Sequence, residues 1–459
     1  MPLIDLAKTD FGSLSENVTR QKLSNMYIVE NPLSVSGVSY ISRPSLSLFM
    51  NIPNEAIRGI YYQAGNGSVS IYVVAGNSLY KINEDKTKTY IGAIPGSKFC
   101  TFASTIYHIA IAADGRLFLY DGTSLIEVAI PDGLLVSDVT SLDNYFIVGI
   151  ENTNKFYWIE PGQIIIDGLS FASAERNPDD IVTMISIGDE LWAIGQNTVE
   201  IFTDSGDANA PFVRLSGRVY QTGCVDKHSI VKCNKESLPC LIWVTPTKEV
   251  VLAQGVPTKI SNESIEELLK RATSFNAWTF RTNRHDFYVL TTDNETVVYD
   301  LNAGSWYVWS SYQSNTWNAY AGIQINADIY AIEPNSGDLY RVVNTAVDKT
   351  QDYIVCEVGG FLPNATNDSV VCNSITLFLN YGYSTDYVTA PVVELRWSDN
   401  GGASWTEYYQ GSVGSKGGYE NSVRYRSLGS FNRPGRHIEL RFSEISSFRL
   451  DGATLNDSA

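Results

Sequence analysis

A recurring pair of short apolar runs, joined by a tight polar turn, dominates the chain from about residue 57 onward. The second run of each pair is rich in aromatic residues and recurs at a spacing of roughly 38 to 51 residues, the length of a four-stranded propeller blade. These second runs are residues 78–82, 116–120, 155–159, 198–202, 249–252, 296–300 and 338–342. Runs this short, bounded by Gly, Asn and Asp, predict strands rather than helices.

The turns between paired runs have the composition of β-hairpin turns. Gly76-Asn77 and Asp114-Gly115 supply residues that adopt positive φ, which two-residue hairpin turns require. Blades stacked around an axis bury both faces of each sheet, and ring closure removes long exposed edges. The pattern therefore predicts an all-β protein built on a β-propeller of about seven blades, with six or eight as alternatives.

Two regions lie outside this repeat. Residues 1–56 contain prolines and no long periodic run, which predicts an extended N-terminal arm that either closes the ring of blades or contacts a neighbouring molecule. From residue 349 longer alternating strands, separated by glycine-rich loops such as 411–418, predict a C-terminal β-sandwich. The predicted domains are thus the arm (1–56), the propeller (57–348) and the sandwich (349–459).

One segment near residues 262–272 has helical character. Ser261 or Ser264 is positioned to cap its first turn. Glutamates follow the cap, cations end the segment, and Ile265, Leu268 and Leu269 share one face. The segment is predicted to pack on the rim between blades, and docking of a partner is the alternative.

The charge balance bears on the class of partner. Fifty acidic residues against 33 basic ones give a formal net charge of −17. Proteins that grip DNA need a basic face toward the phosphates, so this composition disfavours a DNA-grasping role. It is compatible with an acidic wall past which DNA slides. The sequence also predicts no secretory signal, and no window approaches the about 18 apolar residues of a membrane span.

Candidate chemistry is sparse. The six cysteines include no CxxC pair, although Cys224, Cys233 and Cys240 form a loose group with His228. Structural zinc sites need closely paired ligands, so we expect no metal and free buried thiols in a reducing compartment. The remaining histidines are scattered, and GxSxG, P-loop and HExxH motifs are absent from the sequence. We therefore predict no catalytic residue and no cofactor.

Two features keep a glycan-directed function open. Ser398, Asp399, Gly401 and Trp405 resemble an Asp-box, the hairpin turn of sialidase-like propellers, in which the carboxylate holds backbone N–H groups above a packed Trp. In those families the turn is structural. A run of aromatic residues between 306 and 320 is able to stack on sugars, although core packing or a subunit interface is the alternative. A glycan-binding or sialidase-like surface propeller is accordingly the second hypothesis, and a scaffold propeller that binds peptides is the third.

The stretch from 196 to 317 resembles one family, the packaged-DNA stabilisation or tail nozzle (tail tube B) proteins of short-tailed bacteriophages. Tyr40 and Arg43 also resemble that family's beginning. The positions that carry the resemblance are Glu200, Gly223, Cys224, Ser261, Ile265, His285, Tyr288, Tyr299, Asp300 and Trp306. The similarity spans most of the chain.

The resemblance implies a structural virion protein rather than an enzyme. It implies a homohexamer in the phage tail, assembled in the host cytoplasm, that lies below the portal and adaptor ring and carries tail fibres or spikes, with or without a tail needle. Such a ring extends the DNA conduit, retains the packaged genome and allows its ejection. Double-stranded DNA would pass through its lumen without specific binding. We predict that Asp and Glu outnumber Lys and Arg on the lumen face.

Overall fold

Five short strands precede the repeat in the structure, a computed structural model that describes residues 3–8, 22–65, 68–83, 85–174, 179–207, 210–333, 335–344, 353–379, 391–414, 421–444 and 448–456. They are β1 (Asp5–Leu6), β2 (Leu23–Ser24), β3 (Met26–Glu30), β4 (Val38–Ser42) and β5 (Ser45–Asn51). The first four belong to the C-terminal sandwich and the fifth to the propeller.

The repeat folds into seven antiparallel blades of four strands each, so the predicted β-propeller is confirmed. Blade 1 is β6 (Ile57–Gly65), β7 (Ser68–Ala75), β8 (Ser78–Ile82) and β9 (Lys88–Ala93). Blade 2 is β10 (Thr101–Ser104), β11 (Ile109–Ala113), β12 (Arg116–Tyr120) and β13 (Leu125–Val128). Blade 3 is β14 (Val136–Leu142), β15 (Tyr145–Ile150), β16 (Lys155–Ile159) and β17 (Phe171–Ser173). Blade 4 is β18 (Ile181–Ile187), β19 (Glu190–Gly195), β20 (Val199–Asp204) and β21 (Phe212–Tyr220). Blade 5 is β22 (Val231–Lys235), β23 (Leu238–Val244), β24 (Val250–Ala253) and β25 (Pro257–Lys259). Blade 6 is β26 (Phe275–Thr282), β27 (His285–Thr292), β28 (Thr296–Asp300) and β29 (Ser305–Trp309). Blade 7 is β30 (Ala321–Ile325), β31 (Asp328–Ile332), β32 (Asp338–Val343) and β5.

Strands from both ends of the propeller sequence close its ring. The outermost strand of blade 7 is β5, which pairs antiparallel with β32, Ser45 lying opposite Val343. Ile52 and Ile57, which follow β5 in the chain, are buried in the apolar core between blades 7 and 1. The repeated runs recognised in the sequence are the third strands of the blades, because second and third strands form compact local hairpins.

The C-terminal region forms two packed sheets, as predicted for a sandwich. Its strands are β33 (Cys356–Pro363), β34 (Val370–Val371), β35 (Ser374–Leu379), β36 (Val392–Ser398), β37 (Tyr409–Ser412), β38 (Asn421–Arg426), β39 (Ser430–Phe431), β40 (Gly435–Phe442) and β41 (Arg449–Leu455). One sheet has the order β3-β4-β41-β35-β38, and the other β2-β33-β40-β36-β37 with β1 beside β33. Residues 415–418 of the predicted glycine-rich loop lie outside the described residues.

The N-terminal strands join the two modules. Strand β2 pairs in parallel with β29 of blade 6 and antiparallel with β33, so one sheet runs from the propeller into the sandwich. Trp278, Trp309 and Trp317 of the propeller share a continuous apolar core with sandwich residues such as Leu377 and Leu440. We infer that the two modules are rigidly connected, since they share one apolar core and one sheet.

The helix is α1 (Glu263–Lys270), and its cap differs from the prediction. Asn262 Oδ1 accepts the N–H of Ile265 at 3.0 Å, so the expectation that Ser261 or Ser264 caps the helix is wrong. The Ser261 hydroxyl instead accepts the N–H of Val250 and donates to Glu266, both at 3.0 Å. Ile265 and Leu269 are buried in the core between blades 5 and 6.

This cap gives a prediction of modest size. We expect Asn262→Ala to lower the free energy of unfolding by about 1 kcal/mol, because the Ile265 N–H loses its acceptor. Equilibrium urea unfolding measures the loss. Asn262→Ser keeps a capping oxygen and should lose only a small part of it. An equal loss in both variants would show that the cap is not the cause.

Candidate assembly surface and motif residues

Polar side chains line the axis of the propeller. The first strand of each blade is innermost, and its side chains meet those of the next blade: Thr183 donates to Asp138 Oδ2 at 2.5 Å, and Lys232 Nζ donates to Ser186 Oγ at 3.1 Å. Lys232 keeps part of its surface accessible to solvent although protein surrounds it. Desolvation by these surroundings lowers the pKa of its ammonium group.

One end of the axis is covered by a 3-10 turn, Lys227–Ser229, in the linker between blades 4 and 5. The Asp226 carboxylate accepts the N–H of His228 at 2.9 Å and fixes the turn. Lys227 Nζ reaches across to the carbonyl of Ser137 in blade 3, and the His228 ring packs edge-on against Phe99, with 5.6 Å between centroids. Burial and the neighbouring Lys227 lower the pKa of His228. The axis is therefore not an open tube at this end.

The axial groups do not match a glycan-cleaving site. Within the described residues, the inner-strand side chains that bond from blade to blade are hydroxyls together with Asp138 and Lys232, whereas Arg58 pairs with Asp114 and Arg281 with Asp286. A sialidase-like site would bring clustered arginines and paired carboxylates to this position. No group of His, Cys, Asp and Glu side chains suited to a metal ion occurs in the described part of the chain.

The motif residues Gly223 and Cys224 fix the linker that leads into blade 5. A Cβ at Gly223 would lie 2.0 Å from the carbonyl oxygen of Gln196, so only glycine fits there. The Gly223 carbonyl accepts the Trp243 Nε1–H at 3.0 Å. Cys224 is buried beside Ser229, and burial raises the pKa of its thiol to about 12. An unreactive, structural thiol follows from these surroundings.

Glu200 is a buried carboxylate on the third strand of blade 4. Its Oε2 lies 3.2 Å from Arg214 Nη1 on the neighbouring strand. The Arg214 side chain is partly exposed, whereas the buried Glu200 side chain lines a small cavity together with Asp179 and Thr198. The arrangement stabilises the β20–β21 pairing and offers no open carboxylate for catalysis.

Five motif residues meet in the core shared by α1 and blades 5 and 6. They are Ser261, Ile265, Tyr288, Tyr299 and Trp306. The Trp306 Nε1–H donates to the Ile260 carbonyl at 2.9 Å, and its ring lies 4.9 Å from that of Tyr299. The Tyr288 hydroxyl donates to the Ser229 carbonyl at 3.0 Å, and burial raises the pKa of Tyr288 well above the usual value. These residues hold the helix between the blades.

The last motif pair, His285 and Asp300, fixes a turn in blade 6. His285 Nδ1 lies 2.6 Å from Asp300 Oδ2. The other carboxylate oxygen, Asp300 Oδ1, accepts the N–H groups of Asn302 and Ala303. With both oxygens occupied and the carboxylate fully buried, this His–Asp pair supports the chain turn.

The turn that resembles an Asp-box is held differently from the prediction. Its backbone N–H groups are bound by side chains other than Asp399: Ser398 Oγ accepts from Gly402 at 2.9 Å, and Asn400 Oδ1 accepts from Ser404 at 2.9 Å. Gly401 has a φ of +70°, and Trp405 lies under the guanidinium of Arg396.

Asp399 instead faces the buried Arg436 and forms two hydrogen bonds with it, at 2.6 and 2.8 Å. The guanidinium is also bound by the carbonyls of Leu428 and Ser430. The expected role of Asp399 in holding backbone N–H groups is thus replaced by an ion pair, because the partner 37 positions away supplies a stronger donor than the turn.

The aromatic run between 306 and 320 belongs mainly to the core. Trp306, Tyr307, Trp309 and Trp317 are all buried, and the Trp309 and Trp317 rings pack edge to face at 5.2 Å. Tyr312 is exposed and contacts Tyr353. Buried rings do not stack on sugars, so this run gives the glycan hypothesis no support.

An exposed apolar patch on blades 2 and 3 is the strongest candidate for an interaction surface, and the sequence reasoning missed it. We define the blade 2–3 patch as Ile106, Tyr107, Ile164, Ile165 and Leu169. Its most exposed members are Leu169 at 84%, Ile106 at 76% and Ile165 at 68%. Gly162 lies against the Tyr107 ring, which places the two loops side by side. Clustered exposed apolar residues mark protein contacts, and the run of three isoleucines at 164–166 was the sequence clue.

Comparison with known families decides the identity of the fold. The sequence model described as Bacteriophage P22 Gp10, β-propeller, a phage stabilisation family, matches residues 14–345. The chain belongs to this family. All ten motif positions and Arg43 lie within the matched region. Membership gives the chain a structural role in a phage particle, in packaged-DNA stabilisation.

Solved structures are similar to part of the chain at low identity. BamB from Moraxella catarrhalis has 14% identity and a TM-score of 0.42, covering 66% of this chain and 90% of its own. The Cps50 (Swd1) β-propeller domain of Myceliophteria thermophila has 11% identity and a TM-score of 0.46, covering 65% and 100%. Virginiamycin B lyase from Staphylococcus aureus has 13% identity and a TM-score of 0.45, covering 65% and 99%. No curated protein matches the sequence.

In this member of the phage stabilisation family, the described motif residues make packing contacts and hydrogen bonds within blades 4 to 6 and the linker before blade 5. They bury carboxylates, thiols and aromatic rings where blades 4 to 6 meet. The described chain contains no helix that is both long and apolar enough to span a membrane.

Proposed function

We propose that six copies of this chain form the tail nozzle of a short-tailed phage, a ring that continues the DNA conduit below the portal and adaptor. The ring would retain the packaged genome, allow its ejection and carry fibres or spikes, without catalysis. Family membership supports the virion role, and the blade 2–3 patch is the observation that supports assembly. The proposed domains are a propeller at 57–348, completed by β5, and a sandwich at 349–459, completed by β1 to β4, so residues 1–56 contribute strands to both.

The joined architecture suits a ring that must withstand the pressure of packaged DNA. A sheet shared by blade 6 and the sandwich transmits force through hydrogen-bonded strands. The ring of blades is closed by β5, which leaves blade 7 with its full set of strands. A subunit of this kind is rigid enough to define a lumen of fixed width.

DNA would pass between the subunits, around the symmetry axis of the hexamer. The propeller's own axis is filled with side chains, and the turn Lys227–Ser229 covers one end of it. The net charge of −17 suits a wall that repels phosphate, because a basic wall would hold DNA by counterion release. We keep the prediction that acidic residues outnumber basic ones on the lumen face.

The test of this proposal is the assembly state of the purified chain, measured by native mass spectrometry and negative-stain imaging. Six copies of the 50.8 kDa chain have a mass of about 305 kDa. We expect a hollow six-fold ring, either alone or after addition of the adaptor protein. A chain that stays monomeric with the adaptor present would contradict the nozzle proposal.

The blade 2–3 patch allows the predicted ring assembly to be tested with substitutions. We expect the double variant Ile165→Asp, Leu169→Asp to lose ring formation by at least about tenfold in assembly constant, since each charge must be desolvated at the contact. Its urea midpoint should not change, because both side chains are exposed. Leu33→Asp, at a 96% exposed leucine in the sandwich, is the matched control. Rings formed equally by the double variant would exclude the patch as an interface.

A further inference from the structure

Two cysteines face each other in blade 5. Cys233 on β22 lies directly opposite Cys240 on β23, and their Sγ atoms are 2.9 Å apart. The pair is free in the structure, as are the other cysteines, at 100, 224, 356 and 372. This distance is shorter than an ordinary van der Waals contact between two sulfur atoms. The two Sγ atoms therefore need to move only a little to form a disulfide bond.

The backbone geometry is already that of a disulfide. Residues directly opposed on antiparallel strands have Cα atoms about 4.5–5.5 Å apart, which falls inside the about 4.4–6.8 Å that disulfides span. The hairpin between the two cysteines turns at Glu236 and Ser237, both with positive φ, as a tight two-residue turn requires. The turn fixes the register of β22 and β23, so Cys233 and Cys240 stay opposite each other.

Access to the pair differs between its two members. Cys240 is fully buried, whereas Cys233 is partly exposed and packs at the margin of the core between blades 5 and 6. The two thiols share a hydrogen bond in which either sulfur can be the donor, so exposure is what distinguishes the two side chains. A dissolved oxidant would therefore reach Cys233 first, and Cys240 would supply the second sulfur.

We propose that Cys233 and Cys240 are a redox-responsive pair that closes to a cross-strand disulfide when the protein leaves a reducing compartment. With oxidised glutathione as the oxidant, the two thiols lose their protons and two electrons and form one S–S bond. The glutathione disulfide accepts those electrons and protons and leaves as two molecules of glutathione. The bond would lock the β22–β23 hairpin against blade 6, and a thiol reductant would reverse it.

The experiment uses the full-length protein, first reduced and then incubated natively with oxidised glutathione. Thiols that remain are alkylated after denaturation, and the intact mass is measured. We expect the reduced protein to take up six alkyl groups and the oxidised protein four, those of the remaining cysteines. Trypsin cuts after Lys232 and Lys235, so the disulfide should appear as two linked peptides that separate on reduction.

The controls distinguish this pair from general oxidation. Cys233→Ser and Cys240→Ser should each take up five alkyl groups with or without the oxidant, whereas Cys372→Ser should fall from five to three. The urea midpoint of the wild-type protein should rise on oxidation and return on reduction, and neither blade 5 variant should respond. Six alkyl groups after oxidation, a lasting glutathione adduct, or a linkage to another cysteine would each overturn the proposal.

Discussion

Replacing Arg43 by alanine is expected to lower the free energy of unfolding by about 3 kcal/mol or more, the largest effect of any single side chain between the two modules. Arg43 is 1% exposed and donates to the side chain of Asn25 and to the carbonyls of Pro44 and Ser310, at 3.0, 2.8 and 2.8 Å. Its guanidinium also lies over the Trp317 ring. Alanine would leave buried acceptors without donors and a cavity beside that ring.

The position of Arg43 explains why the loss should affect both modules. Asn25 accepts from Arg43 and from the Ser310 N–H, and donates to the Val355 carbonyl, so it links the end of blade 6 to the start of the sandwich. Asn25 has a φ of +57°, a conformation that this hydrogen-bonded set stabilises. We expect urea unfolding of Arg43→Ala, followed by tryptophan fluorescence and far-UV circular dichroism, to separate into two transitions.

Two further variants make the Arg43 prediction specific. Arg43→Lys keeps the charge but cannot reach three acceptors at once, so it should lose most of the same stability. Arg341→Ala removes an exposed partner of Asp328 and should stay within about 0.5 kcal/mol of the wild type. If Arg43→Ala behaved like Arg341→Ala, the idea that Arg43 joins the modules would be wrong.

The fold was predictable from the sequence where its contacts are local. Each pair of second and third strands forms a hairpin that spans 12 to 16 residues, and that is why the aromatic runs containing Tyr80, Tyr120 and Tyr340 identified the blades. Ring closure was not decidable, because β5 pairs with residues almost 300 positions away. Arg43 also bonds to a residue far away in the sequence, Ser310, so its role could not be predicted. It was recognised only as part of a family resemblance.

The candidate sites were predictable to a smaller extent. Sequence similarity selected Gly223, Asp300 and Trp306, but their role in packing depends on neighbours that no local pattern specifies. The helix was found from its periodicity, while the choice of Asn262 over Ser261 and Ser264 depended on backbone angles at its first turn. The blade 2–3 patch was missed because alternation cannot tell an exposed loop isoleucine from a buried one.

Asp399→Asn is the second variant for which we expect a large effect, a loss of about 2–4 kcal/mol in the free energy of unfolding. Asn keeps the shape of Asp and one acceptor oxygen, but it removes the charge that balances Arg436. Arg436 is 2% exposed and lies between Trp397 and Phe431, so its charge would stay buried with only carbonyl partners. The estimate lies at the lower end for a broken buried pair, since the Asp399 side chain is 41% exposed.

The same variant distinguishes the two roles considered for this turn. If Asp399 acted as the carboxylate of an Asp-box, Asn would still accept backbone N–H groups and the loss would be small. Ser398→Ala is the companion variant: it removes the oxygen that binds the Gly402 N–H and should cost about 1 kcal/mol. The double variant Asp399→Asn, Arg436→Met should recover stability relative to Asp399→Asn alone, because it removes the buried charge as well. A double variant less stable than Asp399→Asn would show that the packing of the Arg436 side chain matters more than its charge.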